Sequence, residues 1–215
     1  MQRLAPLSWE RIWSKRVMGC GELATVYLIH NIRRNTTVAR KVLNECNANA
    51  RKALEMEVKL QRLAASAALA PRIVNHNAKR CTVDMEPAGI SLREVCVLNS
   101  GKLTRDEQNQ IIWLIDQMVD RKINHMDMHA CNILWATTHF VAIDFANGSK
   151  MYPQNMSVEE RTFEKGTKLH GLLYSPQGGL VSKGFLKHEP AHLVRQMRKW
   201  GLEKPGTRRK RPSAK

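Results

Sequence analysis

The stretch from His125 to Ser149, HMDMHACNILWATTHFVAIDFANGS, sets Asp127, Asn132 and Asp144 among apolar runs. A carboxylate or an amide is costly to bury unless a partner satisfies it. A chain that keeps all three beside its core must bring donors or cations to them. That requirement limits the folds open to it more than any other feature. Asp and Asn are also common turn and cap residues between a helix and a hairpin. Capping explains each of the three singly, but not the ordered set together with the glycines and the lysine upstream.

Upstream, WSKRVMGCGELATVYLIH reads as strand, glycine turn and strand, and TTVARKVL as a third strand. NANARKALEMEVKLQRLAASAALAP is rich in helix formers, with Pro71 expected to end the helix. RIVNH and RCTVDME read as two further strands, so residues 1–86 form a five-stranded sheet with one helix. PAGISLRE then reads as a connector entering a short helix. Thr104 and Glu107 make a capping box before QNQIIWLIDQMVDRK, where Ile111, Ile115 and Met118 share a face with Ile112 and Val119 alongside. NILWATTHFVAID reads as two short strands around a turn. Ser157 and Glu160 form a second box, opening a helix to about Tyr174. Pro190 suits a first helical position, Leu193, Met197 and Trp200 share a face, and Gly201 can terminate that helix. The expected organisation is an N-terminal lobe over 1–86, a helical lobe over 87–205 and a basic disordered tail over 206–215.

With 215 residues, 43% of them hydrophobic, the chain can bury a core as one domain or two small lobes sharing a cleft. Aromatic content of 6% argues against a large aromatic platform. No apolar run approaches the length of a bilayer span, and MQRLAPLSWERIW shows no signal-peptide core. The five cysteines, at 20, 46, 81, 96 and 131, form no C-x-x-C pair, so the expectation is reduced, mostly buried thiols in an intracellular setting, cytoplasmic or nuclear. The net charge of +16 favours acidic partners, partly through the TRRKRPSAK tail, which also looks like a nuclear-localisation or nucleic-acid patch.

Read in order, these motifs resemble a protein kinase from Gly19 to about Ser149. GCGELATV fits the glycine-rich loop, with Ala24 at the third glycine. The resemblance implies that Gly19 and Gly21 let backbone approach phosphates and that Val26 covers the adenine. VARK places Ala39 at the nucleotide and Lys41 on its α- and β-phosphates, fifteen residues after Val26. Glu55 and Glu57 both qualify as the partner of that lysine. Glu57 is preferred, because Leu60 and Ala64 then face inward with it. VDMEPAG resembles the segment joining two lobes, with Met85 behind the pocket and the backbone of Glu86 and Ala88 facing adenine. HMDMHACN and IDF fit the catalytic loop and the metal-binding triplet. Asp127 would then orient the acceptor hydroxyl, with Asn132 and Asp144 on Mg²⁺.

The pattern also breaks. Met126 stands where the family carries the Arg that pairs with an activation-loop phosphate. His129 stands where protein kinases usually carry Lys, whereas small-molecule kinases and some atypical protein kinases often carry His there. DFA replaces DFG, and Ala146 resists a positive φ. There is no A-P-E triplet and no Asp beyond 144. The expected fold class is therefore α+β, a bilobal protein-kinase-like fold with a reduced C-lobe. It is similar to short bacterial effector kinases, viral kinases or the small kinases of tRNA-modifying complexes.

The function expected from the resemblance is ATP- and Mg²⁺-dependent transfer of phosphate to Ser or Thr of a protein, which for an effector would be a host protein. A reduced C-lobe leaves room for an activating protein partner. The alternatives are a nucleotide-binding scaffold with little catalysis, a small-molecule kinase, and a nucleic-acid-binding module led by the tail. Ser213 in the tail is a candidate phosphorylation site.

Overall fold

Alternation along the third strand shows how the N-terminal sheet is built. In this computed structural model, which describes residues 13–31, 35–86, 89–136, 138–146, 149–203 and 205, Ala39 and Lys41 face inward and are buried. Arg40, between them, faces the other side and makes a two-pronged pair with Asp84. Successive strand side chains point to opposite faces, so an inward Lys41 is a consequence of register.

The sheet is antiparallel, in the order β1-β2-β3-β5-β4. Its strands are β1 (Trp13–Cys20), β2 (Ala24–Asn31), β3 (Thr36–Leu43), β4 (Arg72–Asn77) and β5 (Thr82–Glu86). Helix α1 (Ala48–Ala65) connects β3 to β4 and starts at Asn47, whose side chain accepts from the Ala50 amide. Its inward face, Leu54, Glu57, Val58, Gln61 and Ala64, follows the helical period. Leu54 and Val58 pack with Cys81, Val83 and Met85 of the β4–β5 side.

The second half is mainly helical around one core. It contains β6 (Ile90–Ser91), α2 (Leu92–Leu98), α3 (Arg105–Asp120), β7 (Ile123–Asn124), β8 (Ile133–Ala136), β9 (His139–Ala142), β10 (Lys150–Met151), α4 (Val158–Tyr174) and α5 (Ala191–Lys199). Ile111, Leu114, Ile115 and Met118 of α3 are buried against Leu169, Leu172 and Leu173 of α4 and Leu193 and Met197 of α5. Each such side chain contributes about 1.5–3 kcal/mol of burial. Gly166 lets α4 approach the end of α5: a Cβ there would lie 2.9 Å from the Trp200 carbonyl oxygen. The capping boxes at Thr104 and Ser157 both form, and Ser91 with Glu94 makes another at the start of α2.

The protein is thus α+β, with the bilobal protein-kinase-like fold and a reduced C-lobe. Among the described residues no helix is long and apolar enough to cross a membrane. Pro87, Ala88 and the tail 206–215, Ser213 included, lie outside the described residues.

Several expectations need correction. Cys46 and Cys81 form a disulfide, so the thiols are not all reduced. The two are 35 positions apart, and the packing of the segment before α1 against the β4–β5 turn unites them, which no spacing rule reveals. Cys20 and Cys131 are exposed, and only Cys96 among the free thiols is buried. Helix α1 stops well before Pro71, because Ala68 turns left-handed at φ +58 and the Leu69 amide donates back to the Ala64 carbonyl. Pro190 occupies the cap position of α5, in extended conformation, one residue earlier than expected. Ala146 avoids a positive φ, as expected of an alanine, and the left-handed residue of the DFA triplet is its first, Asp144, at φ +62.

Candidate active site

Lys41, buried on β3, stands between two carboxylates. Its Nζ donates to Glu57 Oε1 at 2.6 Å and to Asp144 Oδ1 at 2.7 Å. Glu57 comes from the inward face of α1 and is 5% exposed, whereas Glu55 points to solvent. Burial alone would lower the Lys41 pKa, but Glu57 and Asp144 outweigh it and hold the ammonium above its ordinary value. Burial pushes the Glu57 carboxyl up, with Lys41 opposing.

The glycine turn lies at the β1–β2 corner. A Cβ on Gly19 would meet nothing within 4 Å, and one on Gly21 only the Ala24 carbonyl oxygen at 3.7 Å. The protein's own packing therefore does not demand glycine at either place. Asn44 pins this turn: its amide donates to the carbonyls of Gly21 at 3.0 Å and Glu22 at 2.8 Å. Val26 pairs with Lys41 across β2 and β3, and Ala39 pairs with Met85 across β3 and β5. Met85 is buried, and the Glu86 carboxylate pairs with Arg72 at 2.8 Å.

Below the sheet, the segment 125–132 is tied to 143–145 by three contacts. His125 Nε2 donates to the Ile143 carbonyl at 2.7 Å, and its ring lies 4.9 Å from that of Phe145. The Ile143 amide donates to the Asn132 carbonyl at 2.9 Å. Asn132 Nδ2 donates to the Asp127 carbonyl at 3.0 Å. The Asn132 amide nitrogen is thus engaged, so Oδ1 is the atom with which this side chain could hold a cation. Burial lowers the His125 pKa, which favours the neutral ring. His129 Nδ1 accepts from the Cys131 amide at 3.2 Å, which places the ring hydrogen on Nε2, 3.7 Å from Asp127 Oδ1.

The structure therefore brings together Lys41, Glu57 and Asp144 at one end, and Asp127 and Asn132 at the other, through the 125–145 contacts. Gly19, Gly21, Ala24 and Val26 form the β1–β2 corner above, and Ala39, Met85 and Glu86 lie on the strands behind it. Ala88 falls outside the described residues. Sequence reasoning missed Asn44, which carries no motif, and Lys168. The Lys168 Nζ donates to Asn124 Oδ1 at 2.6 Å and to the His125 carbonyl at 2.9 Å. Burial lowers the pKa of Lys168.

Asn132 and Asp144 offer oxygen ligands only. Among the described residues no group of three or more His, Cys, Asp or Glu is placed to hold a metal alone. This donor set fits a cation such as Mg²⁺, which takes most of its ligands from water and phosphate.

A two-lobed fold with a sheet lysine held by a helix glutamate, above an Asp–Asn–Asp set, defines an atypical member of the protein-kinase-like superfamily. The chain belongs to the lipopolysaccharide kinase (Kdo/WaaP) family, whose family model matches residues 29–164. It is a kinase, a phosphotransferase that uses ATP. A comparison with curated proteins gives no match.

Proposed function

We propose that the chain transfers the γ-phosphate of ATP to a serine or threonine hydroxyl of a protein, with Mg²⁺ as cofactor. The observation that carries phosphotransfer is Lys41, held at 2.6 Å from Glu57 and 2.7 Å from Asp144. In this reading Lys41 holds the α- and β-phosphates, and the Gly19–Gly21 turn covers them. Asp127 orients the acceptor hydroxyl and takes up its proton. Asn132 and Asp144 hold the metal. The metal supplies positive charge against the phosphate oxygens, where phosphoryl transfer needs it. Met126, beside Asp127, is 50% exposed. An apolar side chain there supports a peptide neighbour for the acceptor hydroxyl.

A second reading is a sugar hydroxyl, as the family's description suggests. Two observations favour it. Residues 146–157, between Phe145 and α4, are few for a peptide-docking platform. Lys150 and Met151 among them are also drawn in, by pairing with Asn124 and Ile123.

The test is transfer from γ-labelled ATP and magnesium, offered separately a mixed protein acceptor and lipopolysaccharide. Label on protein is expected, and loss of it in Asp127→Ala and in Asp144→Asn. Label on the polysaccharide alone would replace the first reading with the second. Thermal stabilisation by nucleotide without transfer to either would make the chain a binding scaffold. Full activity in both variants would overturn the assigned roles.

The partners that fit this reading are a protein substrate, an activating protein that completes the reduced C-lobe, and an acidic surface for the tail. The tail's cations support a cytoplasmic or nuclear setting, whereas the Cys46–Cys81 disulfide is unusual in reducing compartments. Binding of an acidic peptide should be lost on deletion of 206–215.

A further inference from the structure

Kinase-like folds must hold the backbone around their catalytic aspartate still; within the motif Asn132 does so from the far side, by donating to the Asp127 carbonyl, and the residues ahead of Asp127 need an anchor of their own. No Asp occurs beyond 144, so the helices after the site supply no carboxylate of that kind. We propose that Lys168 of α4 is a positioning residue that fixes the approach to Asp127 by donating to the Asn124 side chain and the His125 carbonyl. This rests on the reading of Asp127 as the group at the acceptor hydroxyl.

Four observations carry the inference. First, both acceptors of Lys168 lie two and three residues ahead of Asp127, at 2.9 and 2.6 Å from its Nζ. Second, those acceptors are buried: Asn124 is 7% exposed and His125 1%. Water therefore has little access to replace the ammonium.

Third, His125 carries the restraint onward. Its Nε2 donates to the Ile143 carbonyl, and its ring packs on Phe145, so the residues on both sides of Asp144 are tied to the same point. Lys168 thus acts on Asp127 and Asp144 together without touching either.

Fourth, Lys168 is not needed to join α4 to α3. One turn earlier on the same helix, Lys165 bridges Asp116 and Asp120 of α3, each at 2.7 Å. The two lysines divide the work: Lys165 joins helix to helix, and Lys168 joins helix to loop.

The test uses the full chain carrying Lys168→Met, which keeps length and removes the donors, and Lys168→Arg, which keeps donors. Amide exchange is read over residues 123–132 and over 111–119 of α3, beside turnover and the KM for ATP. In Lys168→Met, exchange over 123–132 should rise about tenfold with 111–119 unchanged. Turnover should fall about 30-fold with KM for ATP moving less than about twofold, and Lys168→Arg should recover part of it. Unchanged exchange over 123–132, or an equal rise over 111–119, would overturn the inference. Should wild type show no transfer, the functional reading fails, and the exchange measurement still decides the positioning role. If Lys168→Met does not fold, Asn124→Ala removes one of the two acceptors. A local rise in exchange then supports the inference, and none overturns it.

Discussion

Lys41 and Asp144, 103 positions apart in the chain, meet at 2.7 Å between Nζ and Oδ1. The pair joins the N-terminal sheet to the loop after β9. Asp144 makes this contact from a left-handed backbone, at φ +62. An incoming phosphate would compete with Asp144 for the same ammonium. The contact therefore links nucleotide binding to the relative position of the two halves.

Removing Lys41 should cost stability as well as activity. Lys41→Met leaves Glu57, 5% exposed, buried without its cation. Breaking one side of a buried pair costs about 3–5 kcal/mol. Glu57→Gln removes the charge but keeps a hydrogen-bond acceptor, and should cost less, about 1–2 kcal/mol. Urea unfolding of the two variants compares them, and equal losses would contradict the account. Turnover should fall about 10²–10³-fold in Lys41→Met.

The glycine turn makes the opposite prediction. Gly19 has open space where a side chain would go. Gly19→Ala should leave the melting temperature within about 2 °C of wild type. It should weaken ATP binding about tenfold, or 1.4 kcal/mol, if phosphates approach the backbone there. Calorimetric titration with nucleotide reads this directly, and unchanged affinity would place the phosphates elsewhere.

His125 should make stability depend on mildly acidic pH. Burial lowers its pKa in the folded protein, so the unfolded chain binds the proton more readily. The stabilisation is fully present above the unfolded value, about 6.5, and is lost as pH falls from there through the folded value. Unfolding free energy measured at pH 7.5 and 5.5 should drop for wild type, and His125→Gln should flatten the drop.

Reduction should weaken the N-terminal half. The disulfide spans 35 positions, and a closed loop of that size is worth about 4 kcal/mol in chain-entropy terms. Thermal unfolding with a reductant should begin at lower temperature in wild type. In Cys46→Ser the reductant should have no effect, and an equal shift in both proteins would assign the change to another group.

Much of this was legible in the residues because the signals were local. The capping boxes at Thr104 and Ser157 need only four residues each, and the apolar period of 111–118 only two turns. Glu57 was preferred over Glu55 from the same helical period, since Leu60 and Ala64 fix which side of α1 is buried. The left-handed turn at Ala68 that ends α1 was not legible, since alanine carries no turn signal. Asn44 and Lys168 escaped for a different reason: their acceptors are backbone carbonyls and one amide, which leave no pattern in the chain.

The sequence by itself determined the five strands and the helix of the N-terminal sheet, the long helices and the hairpin that follow, and the α+β class. These depend on periodicity and on side-chain chemistry, which are carried by neighbours in the chain. Only the tertiary structure decided that Cys46 meets Cys81, that Asp144 takes the left-handed conformation, and that Lys168 reaches the loop ahead of Asp127. Each of these is settled by how separately formed elements pack, and the free energy of that packing is not written at any one position.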